Sequence, residues 1–297
     1  MQVTLVEKAD QVMPPFDIEM AAVIKSALEQ GGVDVRLNTG VEGFELANQQ
    51  GNGLRVLTSS GVIDTDLVIL ALGVRPETGL AKAAGLQLGP RGGIKVDAHM
   101  RTSDPNIYAV GDAVEGVDFV TGLEVLVPLA GPAQRQGRVA ADNICGRPST
   151  FRGIQGTAVV GIFDTTAACT GETEKALLRQ GRSPDSFHSV YLHPGHHAGY
   201  YPGATPIHMK IVFDAKDGRL LGAQAVGKQG IDKRIDVCAM CIQKHGTVYD
   251  LAEAELCYAP QYGSAKDPIN VAGLIASNVL HNDAVSYTHL RAHETKA

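Results

Sequence analysis

No apolar run in this 297-residue chain approaches the ~20 residues that a membrane-spanning helix needs. No basic stripe is visible and the formal net charge is -6, so a nucleic-acid partner is not expected. A Gly-x-Ser-x-Gly elbow, a phosphate-binding P-loop and a paired-carboxylate signature are all missing, which leaves hydrolase and phosphotransfer chemistry without support. Cysteine is sparse. The five present (Cys145, Cys169, Cys238, Cys241, Cys257) are scattered and odd in number. With no signal peptide, they point to a reduced cytoplasm rather than a disulfide framework. No internal repeat or low-complexity segment is found. What is there is ordinary globular composition, 44% hydrophobic and 20% charged, in a length that allows two or three domains.

Residues 2–6 (QVTLV) alternate as a strand closing on Glu7. Pro14 and Pro15 punctuate, and Asp17 is placed to N-cap a helix with one apolar face (Ile18, Ala21, Ala22, Ile24, Ala27, Leu28). Gly31 and Gly32 stop it, and VDVRL (33–37) is the next strand. Strand, helix and strand in ~35 residues make a βαβ unit with a parallel sheet. A hairpin follows, with Asn52-Gly53 as its turn. DLVILALG (66–73) is continuously apolar, which predicts a strand buried on both faces. IKVD (94–97) and IYAV (107–110) are two more short strands, and a small-residue helix runs from about Pro132 to Ile144. After Gly146-Arg147-Pro148-Ser149, strands and helices alternate, with an Asp217-Gly218 hairpin turn. That pattern predicts a separate α+β domain of antiparallel strands with helices packed on one side. The final residues (VSYTHLRAHETKA) show no apolar period and read as a non-native tail.

Four places invite chemistry. Glu7 ends the strand where an acid can bind an adenosine ribose, although the Gly-rich fingerprint expected roughly 20 residues earlier lies outside the chain; a solvated strand-end acid is the plainer reading. Asp112, in TSDPNIYAVGD (102–112), is either a turn or capping acid after Gly111 or an acid placed for a ligand hydroxyl. The Ala-rich helix beyond it offers N-terminal amides to the same ligand. Cys238 and Cys241 sit in mid-helix on an apolar pattern, which favours buried, inert thiols over a redox pair. His193, His196 and His197 (HPGHH) lie in a loop without a Cys, Asp or Glu at ligand spacing, so a packed loop is favoured over a metal.

The order of these pieces carries more than any one. VTLVEKADQVMPPFD, DLVILALGVRPET, TSDPNIYAVGD and PLAGPAQRQGRVAADNI together resemble the pyridine nucleotide–disulfide oxidoreductases. HHAGYYPGATP, KRIDVCAM and ELCYAPQYGSAKDPINVAG are similar to their coenzyme A-disulfide reductase and NADH oxidase branch. The resemblance implies an α/β chain: partial Rossmann-like NAD(P)H (1–76) and FAD (77–148) domains, then an α+β dimerisation domain (149–283), with 284–297 as the tail. It implies FAD and NADH or NADPH as cofactors, a homodimer, and a small-molecule disulfide such as coenzyme A disulfide as substrate. By position, Glu7 would bind the nicotinamide cofactor's ribose, and an acid there favours NADH over NADPH. Gly73 lies where the backbone passes that cofactor. Gly111, Asp112, Ala113 and the segment Pro128, Leu129 and Ala130 would approach FAD. Tyr200 and Tyr258 resemble tyrosines that reach the partner subunit's active site, with Tyr201 and Tyr262 as close alternatives. The family's FAD fingerprint and redox cysteine have no counterpart among these residues. The expectation is therefore a poorly stable, inactive fragment with unpaired sheet edges; alternatives are an NADH oxidase or peroxidase, or a non-catalytic dimerising module.

Overall fold

The computed structural model describes residues 1–47 and 53–283 and divides the chain into two compact units, one of residues 1–71 with 159–297 and one of residues 72–158. The tail and Asn52 of the expected hairpin turn lie outside the described residues, while Gly53 takes the positive φ (84°) such a turn requires.

The βαβ unit forms as its periodicity dictates. Strand β1 (Val3–Val6) pairs in parallel with β2 (Val33–Arg36) through helix α1 (Ile18–Gln30). Helix α1 ends at Gly31 because Gly32 (φ +86°) turns the chain back. Strands β3 (Val41–Leu46), β4 (Leu54–Thr58) and β5 (Gly61–Thr65) form an antiparallel meander.

The run 66–73 departs from expectation. It forms no strand, and Leu67, Ile69, Leu70 and Leu72 are exposed. A fully apolar strand needs a ladder on its edges and cover on its faces; no described strand pairs with this one.

The second unit contains helix α2 (Gly79–Ala83), strands β6 (Ile94–Lys95), β7 (Val114–Val117) and β8 (Glu124–Val125), and helix α3 (Ala130–Ile144). Strand β7 pairs parallel with β6 and antiparallel with β8. IYAV is not a strand; only an isolated bridge joins Tyr108 to Arg101. Tyr108 packs instead on a small core of Met100, Val139 and Ala140 with Val96 and Phe151.

The remaining elements are β9 (Ala158–Ile162), β10 (Thr165–Gly171), α4 (Glu174–Arg179), β11 (Phe187–Leu192), β12 (Ile207–Asp214), β13 (Leu220–Gly227), α5 (Ile231–Gln243), α6 (Val248–Glu253) and α7 (Pro268–Leu280). The strands form one five-stranded sheet in the order β11-β12-β13-β10-β9, antiparallel wherever β10 to β13 pair. The expected hairpin at Asp217-Gly218 joins β12 to β13, with Gly218 at φ +72°. Every residue of β13 is buried, so both faces of the sheet are covered. Helices α5 and α7 pack against it, as does α1 from the βαβ unit. One-sided packing is thus corrected: the second cover comes from a segment far earlier in sequence.

A buried ionic knot fixes that arrangement. Lys210 on β12 contacts Asp17 (2.9 Å), Glu174 (2.8 Å) and Glu19. Asp17 sits at the N-cap position of α1 but makes no side-chain bond to its own helix. Its carboxylate instead accepts from the Lys175 and Glu174 N–H groups at the start of α4 and from the Gln224 amide (2.8 Å). The Gln224 carbonyl accepts the Asp17 N–H at 2.7 Å, so every polar group here has a partner. Burial pushes the Asp17 carboxyl up, but the Lys210 charge and these donors outweigh it and hold it below the usual range. Burial opposes the Lys210 charge; the Asp17 charge and the bonds to Glu174 and Glu19 raise its pKa nonetheless.

Candidate active site

In the larger unit, two loops bring the expected tyrosines together. The Tyr200 and Tyr258 hydroxyls are 3.2 Å apart and exposed. Their hydrogen bond raises the Tyr258 phenol pKa. Tyr201 and Tyr262 are exposed without joining that pair.

The loops are pinned from beneath by a residue whose role the sequence did not reveal. Arg234, in the first turn of α5, is fully buried and grips Asp267 through two bonds, Nε to Oδ1 at 3.0 Å and Nη2 to Oδ2 at 2.8 Å. It also donates to the His196 carbonyl at 2.8 Å. Asp267 caps α7, with Pro268 at the first helical position. One guanidinium thus holds the loop before Tyr200 and the end of the loop after Tyr258. The Ala198 N–H donates to the Gly263 carbonyl (2.9 Å), and Lys233 donates to the Tyr262 carbonyl (3.0 Å). The Lys-Arg-Ile-Asp stretch was visible as a motif, but an arginine on a helix face does not announce burial.

The HPGHH histidines separate. His196 and His197 are buried in the loop, and His196 Nδ1 meets the Thr205 N–H at 3.0 Å. Burial keeps the His196 imidazole pKa below its usual value. His193 faces outward to His208. Among the described residues, one group of three could hold a metal by proximity, Asp17, Glu19 and Glu174, and the Lys210 ammonium already stands among them.

The mid-helix cysteines match the inert reading. Cys238 is fully buried with its thiol pKa pushed far up, and burial raises Cys241 and Cys169 to about 11. None of the three supplies a thiolate near neutral pH.

In the smaller unit, Gly111 has φ +91° and open space where a Cβ would stand. Its N–H donates to the buried Gln136 side chain of α3 at 2.8 Å, tying the Gly-Asp turn to that helix. Asp112 is exposed, and no hydrogen bond or ion pair engages its carboxylate among the described residues. It is followed by β7, while α3 begins only at Ala130. The Ala113 carbonyl accepts from Ile94 (2.7 Å). Leu129 occupies the N-cap of α3 without a capping bond, Pro128 and Ala130 are exposed, and open space surrounds Gly131. Pro132 has no N–H, so Ala130 and Gly131 offer the free first-turn amides. An unengaged carboxylate, an open glycine turn and uncapped helix amides fit a ligand carrying both hydroxyls and anionic or carbonyl oxygens, as FAD does.

Gly73 has φ +86° with open space where a Cβ would stand. Glu7, the residue after β1, accepts the Ala9 N–H on one carboxylate oxygen (2.9 Å).

Residues 1–137 match the family model described as pyridine nucleotide-disulphide oxidoreductase, and residues 157–267 match that family's dimerisation domain. The chain belongs to this family, and its fold class is the expected mixed α/β one, with Rossmann-like and dimerisation domains. Among individual proteins it is 37% identical over 292 residues to an NADH oxidase of Methanocaldococcus jannaschii, covering 95% of this chain and 61% of that protein. It is 34% identical over 280 residues to a coenzyme A disulfide reductase of Staphylococcus haemolyticus, covering 94% and 61%. A reduced CoADR-RHD from Bacillus anthracis superimposes with a TM-score of 0.89 at 48% identity, over 95% of this chain and 50% of that one. The chain therefore spans about 61% of the length of these two curated relatives. No described helix is long and apolar enough to cross a membrane.

Proposed function

We propose that this chain is the cofactor-closing and dimerising part of a homodimeric FAD enzyme that reduces coenzyme A disulfide with NADH. The observation that carries the reading is the Tyr200–Tyr258 hydroxyl pair, 3.2 Å apart on two loops that one buried arginine holds in place. A preorganised pair of phenols can donate to a developing thiolate or thiol without reorganising. Likeness to a coenzyme A disulfide reductase supports that use.

In this reading FAD, when bound, relays two electrons from the reduced nicotinamide to the disulfide. Asp112 accepts hydrogen bonds from cofactor hydroxyls, and the Ala130 and Gly131 amides donate to its oxygens. Gly111 lets the backbone approach because no side chain intervenes. Gly73 does the same beside the nicotinamide cofactor. Glu7 accepts from the adenosine ribose and repels a 2′-phosphate, which favours NADH over NADPH. We place the domain limits near residues 76 and 148, as the family resemblance implies.

The M. jannaschii likeness supports a second reading, an NADH oxidase or peroxidase on the same scaffold. Product analysis separates them in an enzyme carrying this chain across its relatives' full length. Disulfide reduction gives two thiols per NADH consumed without oxygen; the oxidase reading gives water or peroxide and no thiol.

A further inference from the structure

The antiparallel ladder of β11 and β12 pairs Leu192 with Met209, and one step further puts His193 opposite His208. The ladder continues beyond them, with the Ile207 N–H donating to the Pro194 carbonyl at 2.8 Å and a bridge between Gly195 and Pro206. Because the 194/207 pair carries the hydrogen bond, 193/208 is a non-hydrogen-bonded position, where cross-strand side chains stand closest. The two Nδ1 atoms are 2.8 Å apart. Neither ring is loose: they cross at 81° with centroids 4.8 Å apart, and Tyr191 stacks edge-on against His193 at 4.4 Å. His193 is exposed and His208 half-buried, so an ion there is reachable and keeps water on its open side.

Imidazole–metal bonds of ~2.0–2.1 Å at near-tetrahedral to square angles put two donor nitrogens about 2.9–3.4 Å apart. The observed pair is within a few tenths of an ångström of that span. We propose that His193 and His208 form a two-histidine chelate for a late first-row divalent ion, of the Ni²⁺, Cu²⁺ or Zn²⁺ kind, with water completing the shell. On binding, the ring that donates from Nδ1 moves its proton to Nε2, both Nδ1 lone pairs turn to the ion, and no net proton is released. The site lies at the stem of the 194–206 loop that carries Tyr200, so the ion clips that stem closed.

Ni²⁺ titration calorimetry on this chain near neutral pH tests the assignment, with His193→Ala, His208→Ala and the control His281→Ala. Losing even a supporting partner of a metal ligand costs about 10–100-fold in affinity, so either ligand substitution should weaken Ni²⁺ by about tenfold or more. His281→Ala should bind as the parent does. Ni²⁺ should also slow hydrogen exchange of the 194–206 amides in the parent but not in His208→Ala. His193 sits at an exposed strand end, so His193→Asn gives a folded variant should His208→Ala unfold. Unchanged Ni²⁺ affinity in the His193 variants, or saturation only at millimolar Ni²⁺, overturns the proposal.

Discussion

Replacing Lys210 by Met tests whether the ionic knot holds the βαβ unit onto the sheet. The methionine keeps the apolar stem and removes the charge, leaving Asp17, Glu19 and Glu174 without their cation. The Lys210 and Asp17 side chains are 3% and 4% exposed, so that pair counts in full. Glu174 is 23% exposed and Glu19 38%, so solvent screens Glu19 most. Breaking a buried pair by deleting one partner costs ~3–5 kcal/mol; with Glu19 discounted, about 3 kcal/mol is expected. At a urea slope of ~2–3 kcal/mol/M that lowers the midpoint by roughly 1–1.5 M. Hydrogen exchange of the β12 and β13 amides localises the loss. The surface partner Lys25, paired with Glu29 on α1, serves as control, since Lys25→Met should cost at most ~0.5 kcal/mol.

The knot also has a pH signature. Asp17 is held below its ordinary 3.8, so its contribution is complete above that value and lost as pH falls through the folded-state value. Lys210 is held above its ordinary 10.5, so its contribution is complete below that value and lost as pH rises through the folded-state value. In Lys210→Met, burial without a counter-charge raises the Asp17 pKa instead. The deficit of the variant against the parent should therefore shrink as pH falls from neutrality towards 3.8. A midpoint within ~0.5 M of the Lys25→Met control, or a deficit independent of pH, refutes the reasoning.

Gly273 of α7 meets α6 so closely that an added Cβ would stand 2.3 Å from the Ala252 nitrogen and 2.6 Å from the Val248 oxygen. Gly273→Ala should gain helix propensity yet lose ~1–3 kcal/mol of stability by urea melt, because backbone cannot yield like a side chain. Under native conditions a thiol-labelling reagent should modify the exposed Cys145 and Cys257 first, while Cys169 and Cys238 react only on unfolding. In an enzyme of its relatives' length, Asp112→Ala should abolish tight flavin binding, read from the absorption spectrum, while costing at most ~1 kcal/mol of stability as any turn acid would.

Local rules made much of the fold legible. Alternation gave β1 and β2, one apolar stripe gave α1, Gly31-Gly32 marked its end, and the Asp217-Gly218 turn marked the β12–β13 hairpin. Residues 66–73 were misread because a continuous apolar run reports the burial a strand needs, not whether neighbours supply it. Asp17 was recognised as a capping acid, but the helix it serves is α4, and its amide partner Gln224 lies 207 residues away. Nothing in the local pattern marks Lys210 and Arg234 as buried; tertiary contact does that. His193 was grouped with His196 and His197 by adjacency, whereas strand register, which short-range spacing does not encode, pairs it with His208.

The measurement that bears most directly on the central claim is anaerobic turnover of coenzyme A disulfide with NADH by the enzyme containing this chain, with Tyr200→Phe and Tyr258→Phe beside the parent. The account predicts two thiols per NADH and a loss of turnover in both variants with flavin content unchanged. NADH consumption only when oxygen is admitted, with no thiol formed, would contradict it.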